Sequence, residues 1–479
     1  MRDVSGVKTL LAAGLLALAA TAAAAQDRPL PVAVPAAFAA VGAGGGSFSG
    51  EAPAPAFWRE LGDSTLARLV DAALDANPDV QAARARLAQA REARRLASFD
   101  LLPTVTSGGG YDRGRLSAAQ APGASGSQRG YRAFDAGVSG AWELDVFGRT
   151  RRTLRAGDAL AGAAGEDLRD VRLALAAEVA LAYLDLRGAQ GQLAVALRNA
   201  ENQRRTLALT EERLSAGRGN AFDSERARAL MQLTLAGTPL LEARIDAARN
   251  RVALLLGGTA ADLHGALDAP AAPPSLPAKV RVGSPESMLR SRPDVSAAER
   301  RAAAEEQLLG ASRAEYLPRL SLVGGAGLNA TSFDSLGRAG ASRYQAGVAV
   351  SWPFLNLGRI RSQVGISRAR AAEARALYAS AALRAVQETE SAMSGYDRSR
   401  ARLAALESAG TASERAAELA RLRFQEGMTD FLPVLDAERT LLDVQNQLAA
   451  ARTDAAAALV GVYRALGATG PAEEGPAGS

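Results

Sequence analysis

The chain has no cysteine and only one histidine among its 479 residues. The lack of cysteine excludes disulfide bonds, thiol catalysis and thiolate metal sites. The single histidine, His264, lies beside a proline-rich stretch, and a lone histidine there is more often structural than a ligand or a catalytic base. Histidine-rich zinc sites and serine–histidine–aspartate triads are therefore not expected. The sequence predicts no enzyme activity, no catalytic residue, no metal and no cofactor.

Aromatic residues and lysines are also scarce. Aromatic side chains make up 5% of the chain, and the only lysines are Lys8 and Lys279. Apolar residues make up 48%, and most of them are Ala and Leu, a composition that favours closely packed helices. The net charge of +5 is modest and no basic block stands apart, so no nucleic-acid partner is expected.

The chain lacks an apolar run of about 18 residues, the length that a membrane-spanning helix needs. A shorter apolar run at residues 10–20 follows Arg2 and Lys8 and precedes three alanines that end at Ala25. This arrangement predicts a signal peptide at residues 1–25, because a membrane anchor would need a longer core. Since no cysteine follows, no N-terminal lipid anchor is expected. Any membrane crossing by the exported chain must then use β-strands.

The most informative pattern that is present is a repeat of long period. Segments recur first at an offset of 215 and later at an offset of 210, and the change falls between Pro103 and Gly137. The matching positions are Asn77 and Arg292, Leu102 and Leu317, Trp142 and Trp352, Gly217 and Gly427, and Gly257 and Gly467. A repeat of this kind predicts two tandem copies of one structural unit.

The repeat also predicts the domain boundaries. The first copy spans residues 57–267 and the second spans residues 286–467. A proline-rich linker, residues 268–285, separates them. An extended N-terminal leader occupies residues 26–56, and a disordered tail occupies residues 468–479.

Each copy is predicted to contain the same series of elements. A short helix begins at Ser64 and again at Ser284, and each is followed by a helix that starts at an X-Pro pair, a favourable helix start. Two strands with alternating polar and apolar residues come next, and then a very long helix without proline and a helix that returns. The predicted ranges are 78–99 and 293–315 for the first helices, 103–111, 135–146, 318–329 and 344–354 for the strands, 148–215 and 358–425 for the long helices, and 222–256 and 431–466 for the return helices.

These elements constrain the assembly. At about 1.5 Å per residue, each long helix would be roughly 100 Å long, which a globular domain does not need. Four strands with one apolar face cannot close a barrel, so strands must be pooled between chains. Trp142 and Trp352 lie at equivalent positions near strand ends, where membrane-interface aromatics belong. They could equally be core residues of a β-sandwich.

Several motifs, in the same order, resemble those of the outer-membrane efflux proteins, the TolC-like outer-membrane factors, and among them the drug-efflux and nodulation-type branch. The matching segments are Phe57-Trp-Arg-Glu-Leu-Gly-Asp63, the two Pro-Asp-Val segments, Trp142-Glu-Leu-Asp-Val-Phe-Gly-Arg149, and the segment from Arg423 to Arg439. One departure is that many members of this branch are lipoproteins with an N-terminal cysteine, which this chain lacks.

The resemblance implies a mainly α fold with a β-barrel. Four strands from each chain of a homotrimer would form a twelve-stranded barrel in the lipid of the outer membrane. A long α-helical coiled-coil tunnel would continue the barrel into the periplasm. The implied partners are a periplasmic adaptor (membrane fusion) protein and an inner-membrane pump.

The resemblance also suggests site residues. Leu432 and Asp436 match constriction positions at the periplasmic entrance, where a trimer would present each as a ring. Asp223, in the first turn of the other return helix, is a further candidate for this periplasmic gate. The alternative for Asp436 is an exposed helix acid paired with Arg439 or Thr440. For Asp223 it is an acid favoured by the helix dipole.

The turns at the ends of the long helices complete the set of candidates. Gly217 and Gly427 lie in the turns that the resembled family uses to meet the adaptor, although each would also serve as a helix C-cap. Asn220 and Asp430, just after these turns, are predicted to cap the return helices. Glu143 and Asp145 are predicted to lie on the lumen wall.

The sequence therefore favours an outer-membrane exit duct of a tripartite efflux system, passing small molecules such as drugs or other toxic compounds and gated at its periplasmic end. Two alternatives remain. One is a duct for type I secretion of peptides or proteins, and the other is a periplasmic coiled-coil scaffold without a pore. The two tryptophans on alternating strands favour a channel over a scaffold.

Overall fold

The computed structural model describes residues 32–42, 46–263, 265, 267–271 and 273–468. The predicted signal peptide, His264 and nearly all of the predicted tail lie outside these residues. The helices are α1 (Ala39–Gly42), α2 (Phe57–Glu60), α3 (Ser64–Ala76), α4 (Pro78–Phe99), α5 (Arg149–Ser215), α6 (Ala221–Ala236), α7 (Thr238–Leu255), α8 (Pro285–Ser291), α9 (Pro293–Ala314), α10 (Leu357–Gln425) and α11 (Leu432–Ala465). The strands are β1 (Phe48–Ser49), β2 (Thr104–Arg115), β3 (Gly130–Leu144), β4 (Val280–Arg281), β5 (Arg319–Ala330) and β6 (Ser342–Ser351).

The helices α5 and α10 dominate the molecule, with 67 and 69 residues. Neither contains proline, and both are rich in alanine and arginine, which favour helix. Residues spaced by three or four along α5 turn one side toward the core, as a coiled-coil seam requires. These are Leu168, Val171, Leu175, Val179, Ala182 and Leu186, of which all but Val171 are buried.

The helix α11 returns along the molecule without a break, but its counterpart in the first half is divided. The sequence predicts one helix over residues 222–256, and the structure has α6 and α7, which meet at Gly237. The prediction of a single helix is wrong because Pro239 has no N–H to donate to the carbonyl of Leu235. The hydroxyl of Thr238 donates to that carbonyl instead, at 2.8 Å.

Four strands form one antiparallel sheet in the order β2–β3–β5–β6. Each half supplies a hairpin, and β3 pairs with β5 to join the halves. Strands β2 and β6 are the edges of the sheet, and within the described residues neither has a partner on its outer side. The alternation of polar and apolar residues predicts all four strands, and the observed ends differ from the predicted ones by about one to five residues.

The contacts that hold helix ends together recur at the repeat offset. Asn77, the N-cap of α4, donates from its side chain to the carbonyl of Leu255 at 2.8 Å. Arg292, the N-cap of α9, donates to the carbonyl of Ala465 at 2.9 Å. Both carbonyls lie in the last turn of a helix, where no backbone N–H of the same helix reaches them, and that of Ala465 also accepts from the Thr389 hydroxyl at 3.1 Å. An equivalent side-chain connection thus closes both halves.

The N-terminal leader packs against the middle of the helical body. Strand β1 pairs in parallel with β4 of the linker. Phe38 and Phe48 are buried in the main hydrophobic core, and the ring of Phe48 lies 5.9 Å from that of Tyr396 in α10. The leader is therefore part of the folded body.

Candidate functional site

The long helices end in two turns of the same design. Gly217 adopts φ of 69° and Gly427 adopts φ of 74°, a left-handed conformation that favours glycine. In each turn, the residue after the glycine donates its N–H to the carbonyl of the arginine five residues before it, at 2.9 Å from Arg218 to Arg213 and 2.8 Å from Met428 to Arg423. This is the Schellman arrangement, so the C-cap assignment of both glycines is confirmed.

The three predicted gate residues lie just beyond these turns, on two different helices. Leu432 and Asp436 are one turn apart at the start of α11, and both side chains are exposed. Within the described residues, the Asp436 carboxylate has no ion pair, and its backbone carbonyl accepts from the Thr440 hydroxyl at 3.0 Å. Asp223, in the first turn of α6, is half-buried. The expected pairing of the Asp436 side chain with Arg439 is not seen.

The two return helices start differently. The side chain of Asn220 accepts from the N–H of Asp223 at 2.9 Å, so its prediction as the N-cap of α6 is confirmed. The prediction for Asp430 is wrong, because α11 begins at Leu432 with Phe431 in the cap position and no side-chain cap. The ring of Phe431 is buried and lies 5.5 Å from that of Phe424, so apolar packing fixes this helix start.

A buried carboxylate that the sequence did not single out joins three helices near these turns. We call the region around the turns at Gly217 and Gly427 the tip. Glu438 of α11 is 5% exposed. It accepts from the hydroxyl of Thr206 in α5 at 2.7 Å and from Nε of Arg421 in α10 at 3.1 Å. Burial raises the pKa of the Glu438 carboxyl, against the opposing effect of these two donors. Glu438 thereby links α11, which carries Leu432 and Asp436, to both long helices.

A second connection joins the ends of the two long helices. The guanidinium of Arg213 in α5 donates to the carbonyl of Phe424 in α10 and lies 4.4 Å from the centroid of the Phe424 ring. The carbonyl belongs to the last turn of α10, where the helix dipole favours a cation. The tips of both halves are thus tied together within one chain.

In each half an ion pair joins the long helix to the helix that returns beside it, and the acidic and basic positions are exchanged between the halves. Arg421 and Glu438 lie at the positions that Glu211 and Arg228 occupy 210 residues earlier. Arg228 binds Glu211 at 2.8 Å and Glu225 at 2.7 Å. An ion pair therefore occupies these positions in both halves. Only the carboxylate of the second half, Glu438, is buried, and it packs against α5 of the first half.

The two tryptophans occupy equivalent places at the end of the sheet. The indole of Trp142 donates to the carbonyl of Leu101 at 2.9 Å, and that of Trp352 donates to the carbonyl of Tyr316 at 3.1 Å. Each acceptor lies two residues before the proline that precedes a strand. Both indoles are partly exposed, at 37% and 53%, so they lie on the surface of this chain.

Two acidic residues at the end of β3, one within the strand and one just after it, have structural partners. The guanidinium of Arg149 donates to the Glu143 carboxylate through three contacts, of 2.9, 3.0 and 3.1 Å. Asp145 accepts from the backbone N–H groups of Thr150 and Arg151 at 3.1 and 2.8 Å. Asp145 therefore caps the start of α5, a role that the sequence prediction of a wall residue missed.

The fold thus combines a four-stranded antiparallel sheet with long paired helices, and its candidate site is a set of helix tips. Among the described residues, no helix is long and apolar enough to cross a membrane, and no group of three His, Cys, Asp or Glu side chains could hold a metal ion. The family model described as outer membrane efflux protein matches residues 69–258 and 284–468. The chain belongs to the outer membrane efflux protein family, whose members are transport proteins of the outer membrane.

Similar proteins agree with this assignment. Outer membrane protein OprJ of Pseudomonas aeruginosa is 30% identical over 411 residues, which cover 85% of this chain and 84% of OprJ. The toluene efflux pump outer membrane protein TtgF of Pseudomonas putida is 30% identical over 409 residues, covering 85% of this chain and 83% of TtgF. The solved structure of the outer-membrane channel OprN shares 36% identity and a TM-score of 0.85, over 92% of this chain and 98% of that chain.

Proposed function

We propose that three copies of this chain form the outer-membrane exit channel of an efflux system. The single observation that carries the proposal is a four-stranded sheet whose two edges are unpaired in the described chain. An edge strand presents a row of free backbone N–H and C=O groups. In lipid these groups must find partners within the protein, so only a closed barrel is acceptable. Each chain supplies four strands, so three copies would close a barrel of twelve strands.

The pairing between the two halves indicates how neighbouring copies pair. Val138 of β3 lies opposite Ala326 of β5. In the sequence repeat, the counterpart of Val138 is Val348 of β6, at the offset of 210, and the counterpart of Ala326 is Tyr111 of β2, at the offset of 215. Both belong to the face that carries the more apolar side chains of their strands. We therefore expect β6 of one copy to pair with β2 of the next, with Val348 opposite Tyr111.

The helices complete the channel. Below the barrel, α5, α6, α7, α10 and α11 of three copies surround a periplasmic tunnel, and the tips close around its lower end. Leu432, Asp436 and Asp223 act there as the gate, since a leucine ring excludes ions by dewetting and a carboxylate ring acts by charge. Trp142 and Trp352 mark the membrane interface. The turns at Gly217 and Gly427 meet a periplasmic adaptor, which connects the channel to an inner-membrane pump.

The cargo is a small molecule. This rests on similarity, because TtgF is named for toluene efflux and a relative from Pseudomonas putida is named for pyoverdine export. We expect the channel to act as a passive duct, for which the pump supplies the energy.

Cross-linking tests the proposal directly, because the chain has no cysteine of its own. The double variant Val348→Cys with Tyr111→Cys should form disulfides between chains and give dimer and trimer bands from outer-membrane fractions. The matched pair Val138→Cys with Ala326→Cys should cross-link only within the chain. The purified trimer should also form ion-conducting channels in planar bilayers. A soluble periplasmic monomer would refute the proposal.

A further inference from the structure

The hairpin of β2 and β3 turns at the end of the sheet that is farthest from the helices. Strand β2 follows α4 and strand β3 leads into α5, so the loop between them, residues 116–129, lies at the opposite end. In the proposed channel the helices are periplasmic. This loop then lies outside the cell, beside the outer leaflet of the membrane.

One face of the sheet is apolar over most of its length. Directly opposite residues share a face, so this one consists of the odd-numbered residues of β2 and the even-numbered residues of β3, β5 and β6. Within these four strands it carries no acidic residue, and its charged residues are Arg113, Arg115 and Arg132. An apolar face meets lipid in a membrane barrel, so all three arginines would lie at the outer edge of the lipid-facing band.

Two of these arginines lie directly opposite each other. Arg113 pairs with Arg132, one step beyond the pair of Tyr111 and Phe134 on the same face, whose rings are 4.7 Å apart. Both arginine side chains are exposed, and within the described chain neither has an ion pair. Like charges directly opposite one another destabilise a sheet. The pair therefore favours a counter-ion from outside the chain.

Two further basic groups lie at the same end. A Cβ at Gly126 would lie 2.7 Å from Nη2 of Arg115 and 3.8 Å from Nη2 of Arg129, so both guanidinium groups lie beside the loop. Nε of Arg129 is buried and has no hydrogen-bond partner in the described chain, which is costly for a donor. Residues 113–134 contain these four arginines and no acidic residue. We call the four the arginine cluster.

The second hairpin lacks the opposed arginines. By the repeat offsets, Arg113 and Arg132 correspond to Leu328 and Ser342, which also lie directly opposite each other. This pair carries no charge. The opposed arginines are thus a property of the first hairpin, and a trimer would present them three times around the barrel.

We propose that the arginine cluster binds the phosphate groups of the phosphorylated glycolipid in the outer leaflet. The inference rests on the proposed function, which places the apolar face in lipid, and it adds a specific lipid partner. A guanidinium binds phosphate through paired N–H donors, and aromatic rings such as Tyr111 and Phe134 suit the headgroup level. The partner is a lipid because Arg113 and Arg132 continue the apolar face. One molecule can thus place its phosphates on the arginines and its acyl chains on that face.

The double variant Arg113→Gln with Arg132→Gln tests the inference on the purified trimer in detergent. The temperature at which the trimer dissociates is followed while lipid A with two phosphates is added. The half-saturating concentration should be about 25-fold higher in this variant, since each arginine near an anionic lipid contributes about a factor of five. Arg113→Lys with Arg132→Lys should fall between, because lysine keeps the charge without the planar fork.

Two controls separate lipid binding from a structural role. Arg343→Gln removes an arginine from the opposite face of the same sheet, and should respond to lipid A as the wild type does. Without lipid, the double glutamine variant should dissociate at the wild-type temperature or above it, because the like charges are gone. A structural role for the two arginines would lower that temperature instead, and would overturn the inference.

The lipid response decides the rest. Equal half-saturating concentrations in the wild type and the double glutamine variant would overturn the inference. So would equal stabilisation by dephosphorylated lipid A, or by inorganic phosphate at the same phosphate concentration. If the pair Val348→Cys with Tyr111→Cys still cross-links a trimer, the proposed function stands in each of these cases. Absence of any trimer would be a failure of the proposed function, and of the inference that rests on it.

Discussion

The guanidinium of Arg213 covers the ring of Phe424, with 4.4 Å between the guanidinium carbon and the ring centroid, and also donates to the Phe424 carbonyl. Arg213 lies in the last turn of α5, in the first half, and Phe424 lies in the last turn of α10, in the second half. Their contact means that the turn after α10 is held by a side chain from α5, and the stability of one tip depends on the other.

Replacing Arg213 by Ala should loosen the end of α10. A hydrogen bond from a charged group contributes about 1.5–3 kcal/mol, so the amides of residues 426–431 should exchange with deuterium roughly tenfold faster or more. Arg213→Lys should fall between wild type and Arg213→Ala, because lysine keeps the charge without the planar fork. Arg205→Ala is the control, since Arg205 is highly exposed in its ion pair with Glu201. If these amides exchange at the same rate in all three variants, the contact from Arg213 does not stabilise the end of α10.

The buried Glu438 predicts a pH dependence of stability. Its pKa is raised in the folded protein by burial, so its protonated form is the one that folding favours. The resulting stabilisation is fully present below the unfolded-state pKa of about 4.3 and is lost as pH rises through the raised value. The melting temperature of the wild type should therefore rise relative to that of Glu438→Gln as pH is lowered from 8 toward the unfolded-state pKa of about 4.3. The same pH response in both proteins would remove Glu438 as its source.

The proposed gate makes a prediction about conductance. Leu432→Ser and Asp436→Ala each remove a side chain that is exposed at the start of α11, so each should raise the single-channel conductance of the trimer in planar bilayers. Asp443→Ala removes another exposed carboxylate of the same helix, farther from the tip, and should leave conductance unchanged. If neither Leu432→Ser nor Asp436→Ala alters the conductance, these residues are not part of the gate.

The tryptophan contacts predict equal effects in the two halves. Trp142→Phe and Trp352→Phe each keep an aromatic ring and remove one hydrogen bond to a backbone carbonyl, so each should cost about 1 kcal/mol. The temperature at which the trimer dissociates in detergent should fall by a similar amount in both variants, and by about the sum in the double variant, because the sites are separate. A loss confined to one variant would show that the two positions are not equivalent.

Much of the fold follows from local sequence signals. The predicted helix at residues 78–99 is α4 itself, because Asn77 and Pro78 mark its start and Pro103 follows its end. The long helices begin and end within one residue of prediction, since they contain no proline and end at glycines with positive φ. The hairpins follow from alternation on strands that lie next to each other in the chain.

Other features depend on side-chain packing that no local sequence signal shows. Glu438 looks like any exposed helix glutamate in the sequence, and only its position against Thr206, 232 residues away, makes it buried. Asp430 has the right side chain for a cap, yet the packing of Phe431 moves the start of α11.

The break at Pro239 was readable from the sequence, because proline inside a helix removes a backbone donor.

The pairing of β1 with β4 has a consequence for the order of folding during export. The leader docks on residues that are synthesised much later, namely Val280 and Arg281, and then Glu390, whose carboxylate accepts from the N–H of Ala39 at 3.0 Å. A chain that crosses the inner membrane from its N-terminus presents the leader first, when none of these partners has emerged. If the chain is exported in this order, the leader can pack into its final position only after the second long helix has been translocated.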